Sequence, residues 1–158
     1  MKFYIKQKVF SWGDKFRIYD EYGNDFFYVE GEVFSFGKKL HLYDRAGYEL
    51  AYIHQETFTL RPTYHISRNG ADVAKVVKRL SFFTHECDVE GFGWKVKGDF
   101  MAHEYEISME GRCMARVSKK WFTWGDTYEL DISDLSDYAM VLSVALVIDA
   151  VISRSGSC

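Results

Sequence analysis

The stretch Asp134-Leu135-Ser136-Asp137-Tyr138-Ala139-Met140-Val141-Leu142-Ser143-Val144-Ala145-Leu146-Val147-Ile148-Asp149-Ala150-Val151-Ile152 decides the fold. It reads as a helix over 134–152. Past its first residues the polar positions are Asp137, Ser143 and Asp149. At about 100° per residue these three point in different directions, so no wet stripe survives. A helix without a polar face must be surrounded by protein or by lipid. Lipid is the poorer fit. The uncharged run from Tyr138 to Ile148 contains Ser143 and falls short of the roughly 20 apolar residues of a span. No transmembrane span is expected. Ser133 or Asp134 is placed to cap the helix, and Asp134 and Asp137 suit the positive end of its dipole.

Everything before the helix reads as β. Gly23, Gly47, Gly70 and Gly111 each sit in a polar turn after a short alternating strand: Phe16-Arg17-Ile18-Tyr19, Leu40-His41-Leu42-Tyr43, Tyr64-His65-Ile66-Ser67 and Tyr105-Glu106-Ile107-Ser108. Alternation marks a strand with two different faces. Glycine supplies the positive φ of a tight hairpin. Three of the departing strands share a pattern of large residue, alanine, any residue, β-branched: Leu50-Ala51-Tyr52-Ile53, Val73-Ala74-Lys75-Val76 and Met114-Ala115-Arg116-Val117. Phe26-Phe27-Tyr28-Val29 fills that place in the first copy. The face carrying Ala51, Ala74 and Ala115 is expected to point inward against the helix, unless a bulge reverses it locally.

A second turn lies between the hairpins, in Phe10-Ser11-Trp12-Gly13, Phe34-Ser35-Phe36-Gly37 and Phe122-Thr123-Trp124-Gly125, with Gly91-Phe92-Gly93-Trp94 a looser relative. The predicted architecture is therefore mainly β: one domain over 1–158, an antiparallel meander of about 12 strands within 2–132. The sheet closes into a β-barrel and so loses its edges, with the hydrophobic C-terminal helix inside it. Trp12, Phe36, Trp94 and Trp124 are expected near a barrel rim.

Composition narrows the function. The 158-residue chain has a formal net charge of −3, which disfavours nucleic acid as a partner. Cys87, Cys113 and Cys158 form no paired spacing, and the chain opens without the apolar run of a signal peptide, so a reducing cytoplasmic location is expected. His41, His54, His65, His85 and His103 show no metal-binding spacing along the sequence, and no cofactor or metal is expected. Pairing of Cys87 or Cys113 with His85 or His103 as a nucleophile has no support from spacing. No catalytic motif is present, and the expectation is a protein that is not an enzyme.

The repeat offers one candidate surface. Lys75 and Arg79 in one copy, and Arg116 and Lys120 in another, follow the turn glycine at equivalent positions. If Ala74 and Ala115 face inward, these four point outward and form a candidate basic patch for lipid phosphates or another anionic partner.

The order and spacing of Trp12-Gly13-Asp14-Lys15-Phe16, Tyr43-Asp44-Arg45-Ala46-Gly47, Ala115-Arg116-Val117-Ser118-Lys119-Lys120-Trp121-Phe122 and Gly125-Asp126-Thr127-Tyr128-Glu129-Leu130-Asp131-Ile132, followed by the apolar helix, resemble the LURP-one-related proteins of plants and bacteria. The resemblance implies the tubby-like fold, a twelve-stranded barrel threaded by a C-terminal helix. That superfamily includes phosphoinositide-binding tubby proteins and phospholipid scramblases. The Cys cluster and calcium-binding segment of scramblases have no counterpart here. The reading that follows is a non-catalytic binding module engaging anionic phospholipid headgroups peripherally, at the inner membrane surface. The first alternative is an interaction or scaffold domain with an acidic protein partner. A small-ligand binder, enzyme or scramblase ranks below both.

Overall fold

The computed structural model describes residues 1–6, 15–32, 36–79, 85–120, 127–133 and 137–155. The second-turn motifs at 10–14, 34–35 and 122–125 lie outside the described residues, as do Asp134 and Cys158. Twelve strands are present: β1 (Lys2–Lys6), β2 (Lys15–Asp20), β3 (Asp25–Gly31), β4 (Lys39–Asp44), β5 (Glu49–Gln55), β6 (Thr63–Arg68), β7 (Ala71–Lys78), β8 (His85–Glu90), β9 (Trp94–Asp99), β10 (Glu104–Met109), β11 (Arg112–Lys120) and β12 (Thr127–Ile132), followed by helix α1 (Tyr138–Ser155). Each strand pairs antiparallel with its sequence neighbours, and β1 closes the barrel on β12 with Lys2 opposite Asp131 and Lys6 opposite Thr127. An even number of strands lets an antiparallel meander close on itself without a parallel pair.

The helix occupies the lumen. Leu142, Val144, Ala145, Leu146, Val147 and Ile148 are fully buried. Strands about 4.8 Å apart and tilted about 40° give a twelve-stranded cylinder roughly 12 Å in radius, wide enough for one helix about 10 Å across and a layer of inward side chains. Small inward residues ease that fit. Ala51, Ala74 and Ala115 are buried, together with Ile53, Val76 and Val117 two positions on.

Asp137, Ser143 and Asp149 are each accounted for. The N-terminal cap is Asp137 rather than Ser133, and the other candidate, Asp134, lies outside the described residues: the Asp137 Oδ1 accepts from the Met140 N–H at 3.0 Å, and its Oδ2 from Arg68 at 2.8 Å. Ser143 donates to the Ala139 carbonyl one turn back at 2.6 Å. Asp149 is discussed below.

All four glycine hairpins carry a register shift at the same place, between Ile18 and Tyr19, Leu42 and Tyr43, Ile66 and Ser67, and Ile107 and Ser108. The unpaired residues opposite are Phe26, Leu50, Val73 and Met114. Leu50, Val73 and Met114 are the large residues of the large-alanine dipeptides, and Phe26 holds the same place before Phe27. The bulge turns two consecutive side chains toward the core, which strict alternation forbids. Phe26, Leu50 and Val73 pack against the core from its edge, and Met114 is buried in it.

The hairpin topology gives the barrel two unlike ends. Turns at Gly23, Gly47, Gly70, Gly93 and Gly111 crowd one end, where Arg68 meets the helix N-terminus. The β3–β4, β5–β6 and β9–β10 loops lie at the other, with the helix C-terminus. Trp94 lies at the tight-turn end and closes the core there, 5% exposed.

Candidate functional site

The loop end is organised around the last turn of α1. A helix C-terminus leaves backbone carbonyls without intrahelical partners. One is met by Lys38, whose Nζ donates to the Ala150 carbonyl at 2.8 Å and places a positive charge at the negative end of the helix dipole. Lys38 belongs to the β3–β4 loop, which is bonded in turn to β5: the Gln55 N–H donates to the Lys38 carbonyl at 2.8 Å. Gly37 adopts φ +77°, and a Cβ there would approach Thr57 Cγ2 to 3.1 Å, so the two loops pack closely only with glycine.

Asp149 anchors the opposite side. Its Oδ2 accepts a hydrogen bond from the Tyr128 hydroxyl, and its Oδ1 lies 3.3 Å from His103 Nε2. The His103 ring stacks on Tyr128 at 4.8 Å. Burial, reinforced by the Asp149 carboxylate, pushes the Tyr128 and Tyr105 hydroxyls well above the usual tyrosine range. His103 reaches this position from a left-handed backbone, φ +53°, a conformation that costs about 1 kcal/mol and persists where its surroundings hold it.

On this frame the rim exposes apolar side chains. Phe36 is 84% exposed, Phe58 97%, and Leu60 fully; Met101 in the β9–β10 loop is half-exposed. Phe58 also has φ +63°. A bulky residue in that region costs about 1–2 kcal/mol, and here it makes no burial in return. Charge differs between the two ends. At the tight turns Asp20, Glu21, Asp25, Asp44, Glu49 and Glu110 outweigh Arg45 and Arg112, whereas at the loop end Lys38, Lys39, Arg61, Lys78 and Arg79 stand among Glu30, Glu32, Glu56 and Asp99.

The four candidate basic residues occupy two places. Lys75 and Arg79 belong to the β7 side and Arg116 and Lys120 to β11, with β8, β9 and β10 between them, roughly 19 Å of arc at 4.8 Å per strand. Arg79 and Lys120 border the loop end, while Lys75 and Arg116 sit lower. Each meets a carboxylate. Lys75 is 3.9 Å from Glu56, Arg79 2.5 Å from Asp88, and Lys120 3.4 Å from Glu129. Arg116 bonds Glu106 through Nε at 2.9 Å. Glu129 also accepts from Tyr4 at 2.7 Å, and it lies 3.3 Å from Lys2. Burial alone would raise its pKa; the Tyr4 and Lys2 contacts outweigh burial and lower it.

Neither Cys87 nor Cys113 is activated. Burial pushes the Cys87 thiol up to about 12 and also raises Cys113, away from the thiolate a nucleophile needs.

The sequence reading missed an outward face on β4–β7. There Tyr43, His41, Tyr52, His54 and His65 stack in a continuous ladder, with neighbouring centroids 4.8–6.1 Å apart. Acidic partners flank it. His41 lies 2.8 Å from Glu32 and 2.7 Å from Glu49, and His65 lies 2.9 Å from Glu56 and 3.2 Å from Asp72. The signal available in the sequence was the repeat itself: His41 and His65 hold the same position in successive hairpins, and so do Glu49 and Asp72 after the turn glycine.

A profile of the LURP-one-related family matches residues 1–149. An uncharacterised Bacillus subtilis protein, YxjI, is 36% identical over 152 residues, covering 96% of this chain and 94% of that protein. A crystal structure of an Arabidopsis thaliana protein superposes with a TM-score of 0.71 at 21% identity, covering 95% of this chain and 90% of that one. The last is a likeness of fold. The family match spans nearly the whole barrel and its helix, and the chain belongs to the LURP-one-related family.

Proposed function

We propose that this protein is a non-catalytic binding module that docks its loop end on an anionic phospholipid surface. The observation that carries the reading is the exposed apolar set Phe36, Phe58 and Leu60 on loops tied to the helix C-terminus. The lumen is filled by α1, so a ligand meets the outside of the barrel. The acidic tight-turn end would face away from an anionic surface, and Arg61, Lys39, Arg79 and Lys120 would lie at headgroup level. Lys75 and Arg116, further down the barrel, would follow only for large headgroups. Lipid phosphates would then compete with Asp88 and Glu129 for the bordering cations.

Partial burial of the three apolar side chains supplies roughly 3–5 kcal/mol, and each cation near the surface about 1 kcal/mol. That sum gives reversible peripheral association at the inner membrane surface. Among the described residues no helix is long and apolar enough to cross a membrane.

The test is co-flotation of the purified protein with neutral and anionic vesicles across a salt series. Binding to anionic vesicles that weakens with salt supports the reading. Absence of binding at low salt overturns it and turns attention to an acidic protein partner.

A further inference from the structure

We infer that His54, His65 and Asp72 form a divalent-cation site on the outward face of β5, β6 and β7, with the chemistry of zinc. The three residues come from three adjacent strands, and each offers one ligand atom within 4.8 Å of the others. His54 and His65 are direct cross-strand partners, their rings 5.0 Å apart and 9° from parallel. Asp72 reaches the same spot because the bulge after Ile66 sets it opposite Ser67.

The distances suit a small tetrahedral ion. His65 Nδ1 and Asp72 Oδ2 are 3.2 Å apart. Two ligands at about 2.05 Å from a zinc ion and 3.2 Å from each other subtend about 103°, close to tetrahedral. The third donor, within 4.8 Å of the others, must close by up to about 1.5 Å to reach the same ion, which requires the partly exposed His54 ring to turn. An N₂O set of two imidazoles and one carboxylate selects zinc and its transition-metal neighbours over magnesium or calcium, which take oxygen ligands. The fourth position is open to water or to a partner group.

The surroundings are those of a metal ligand set. The far nitrogen of His65, Nε2, is 2.9 Å from Glu56, the carboxylate–histidine pairing that orients a metal-bound imidazole. Asp72 is fixed by a hydrogen bond from the Ser67 hydroxyl. His54 Nδ1 is buried with no hydrogen-bond partner among the described residues. Lys39 and Lys75 lie nearby and oppose a cation, and the Glu56 and Asp72 carboxylates offset them.

The site goes beyond lipid docking and does not depend on it. The experiment is titration of the chelator-treated full-length protein with zinc chloride against a chromophoric zinc chelator, alongside His54→Gln, His65→Gln and, as a control on the same ladder, His41→Gln. The expected result is one equivalent of zinc bound at micromolar concentration, at least tenfold weaker in His54→Gln and His65→Gln, unchanged in His41→Gln, and unaffected by excess magnesium. Circular dichroism checks that each variant is folded. Histidine ring resonances of the wild-type protein give a readout free of mutation: zinc shifts those of His54 and His65. No zinc bound at 100-fold excess, or binding that both variants leave intact, overturns the inference.

Discussion

Asp149 Oδ1 and His103 Nε2 lie 3.3 Å apart inside the barrel, joining the last turns of the helix to the β9–β10 loop. With the Tyr128 hydroxyl on the other carboxyl oxygen, this contact holds the Asp149 side chain inside the barrel. Removing the carboxyl leaves the buried Tyr128 hydroxyl without its acceptor and takes the carboxylate from beside His103. Asp149→Ala is expected to destabilise the domain by about 3 kcal/mol and Tyr128→Phe by about 1–2. Because both touch one group, the double variant should lose less than the sum. Urea unfolding of the four proteins measures this.

The helix itself is the core. Val144 and Leu146 are fully buried among strand side chains, and a charge at either has no partner. Val144→Asp and Leu146→Asp are expected not to fold, whereas Leu146→Ala should fold with a loss of about 2–5 kcal/mol. A soluble Val144→Asp variant with a cooperative melt would show that the helix does not fill the barrel.

Glycine substitutions separate space from backbone conformation. Gly98 has φ +148°, and a Cβ there would lie 2.4 Å from the Glu104 carbonyl oxygen and 2.6 Å from Tyr105 Cα. Those are backbone atoms of the paired strand and cannot step aside. Gly23, at φ +81°, opens to empty space. Gly98→Ala should therefore cost upwards of ~3 kcal/mol, and Gly23→Ala only about 1. Equal losses in denaturant melts would refute the close approach.

The ladder of rings predicts a pH dependence. Burial works to lower the His41 pKa, but hydrogen bonds to Glu32 and Glu49 outweigh it and raise the pKa above its usual value. A raised histidine pKa means that the fold binds the proton more tightly than the unfolded chain. The stabilisation is complete below about pH 6.5 and disappears as pH rises through the folded pKa. His41→Gln should thus lower stability at pH 6, by less than ~1 kcal/mol for so accessible a pair, and have a smaller effect at pH 9. The reverse order in thermal melts would show that the ion pairs contribute nothing.

Much of this fold was legible in the sequence because its signals are local. A helix apolar on all sides has one soluble solution, and alternating strands separated by positive-φ glycines give the meander. The bulges were half-legible: Leu50-Ala51, Val73-Ala74 and Met114-Ala115 place two apolar residues side by side, which a regular one-sided strand avoids. Asp137 as cap was hidden because several acidic residues precede the helix and only the chain path selects one. His54, His65 and Asp72 were invisible to spacing rules because they converge across three strands, and register decides that. Lys75, Arg79, Arg116 and Lys120 were recognisable as strand cations, but the carboxylates beside them come from neighbouring strands or loops.

Docking through the loop end is tested most directly by comparing the two ends of the barrel on one membrane. Phe58→Glu/Leu60→Glu alters the loop end, and Tyr22→Glu/Tyr48→Glu alters exposed aromatics at the tight-turn end. Both variants add the same charge. In co-flotation with anionic vesicles, the first is predicted to lose binding by tenfold or more and the second to bind as the unmodified protein does. Equal binding by both variants, or a loss confined to the tight-turn variant, would contradict docking through Phe36, Phe58 and Leu60.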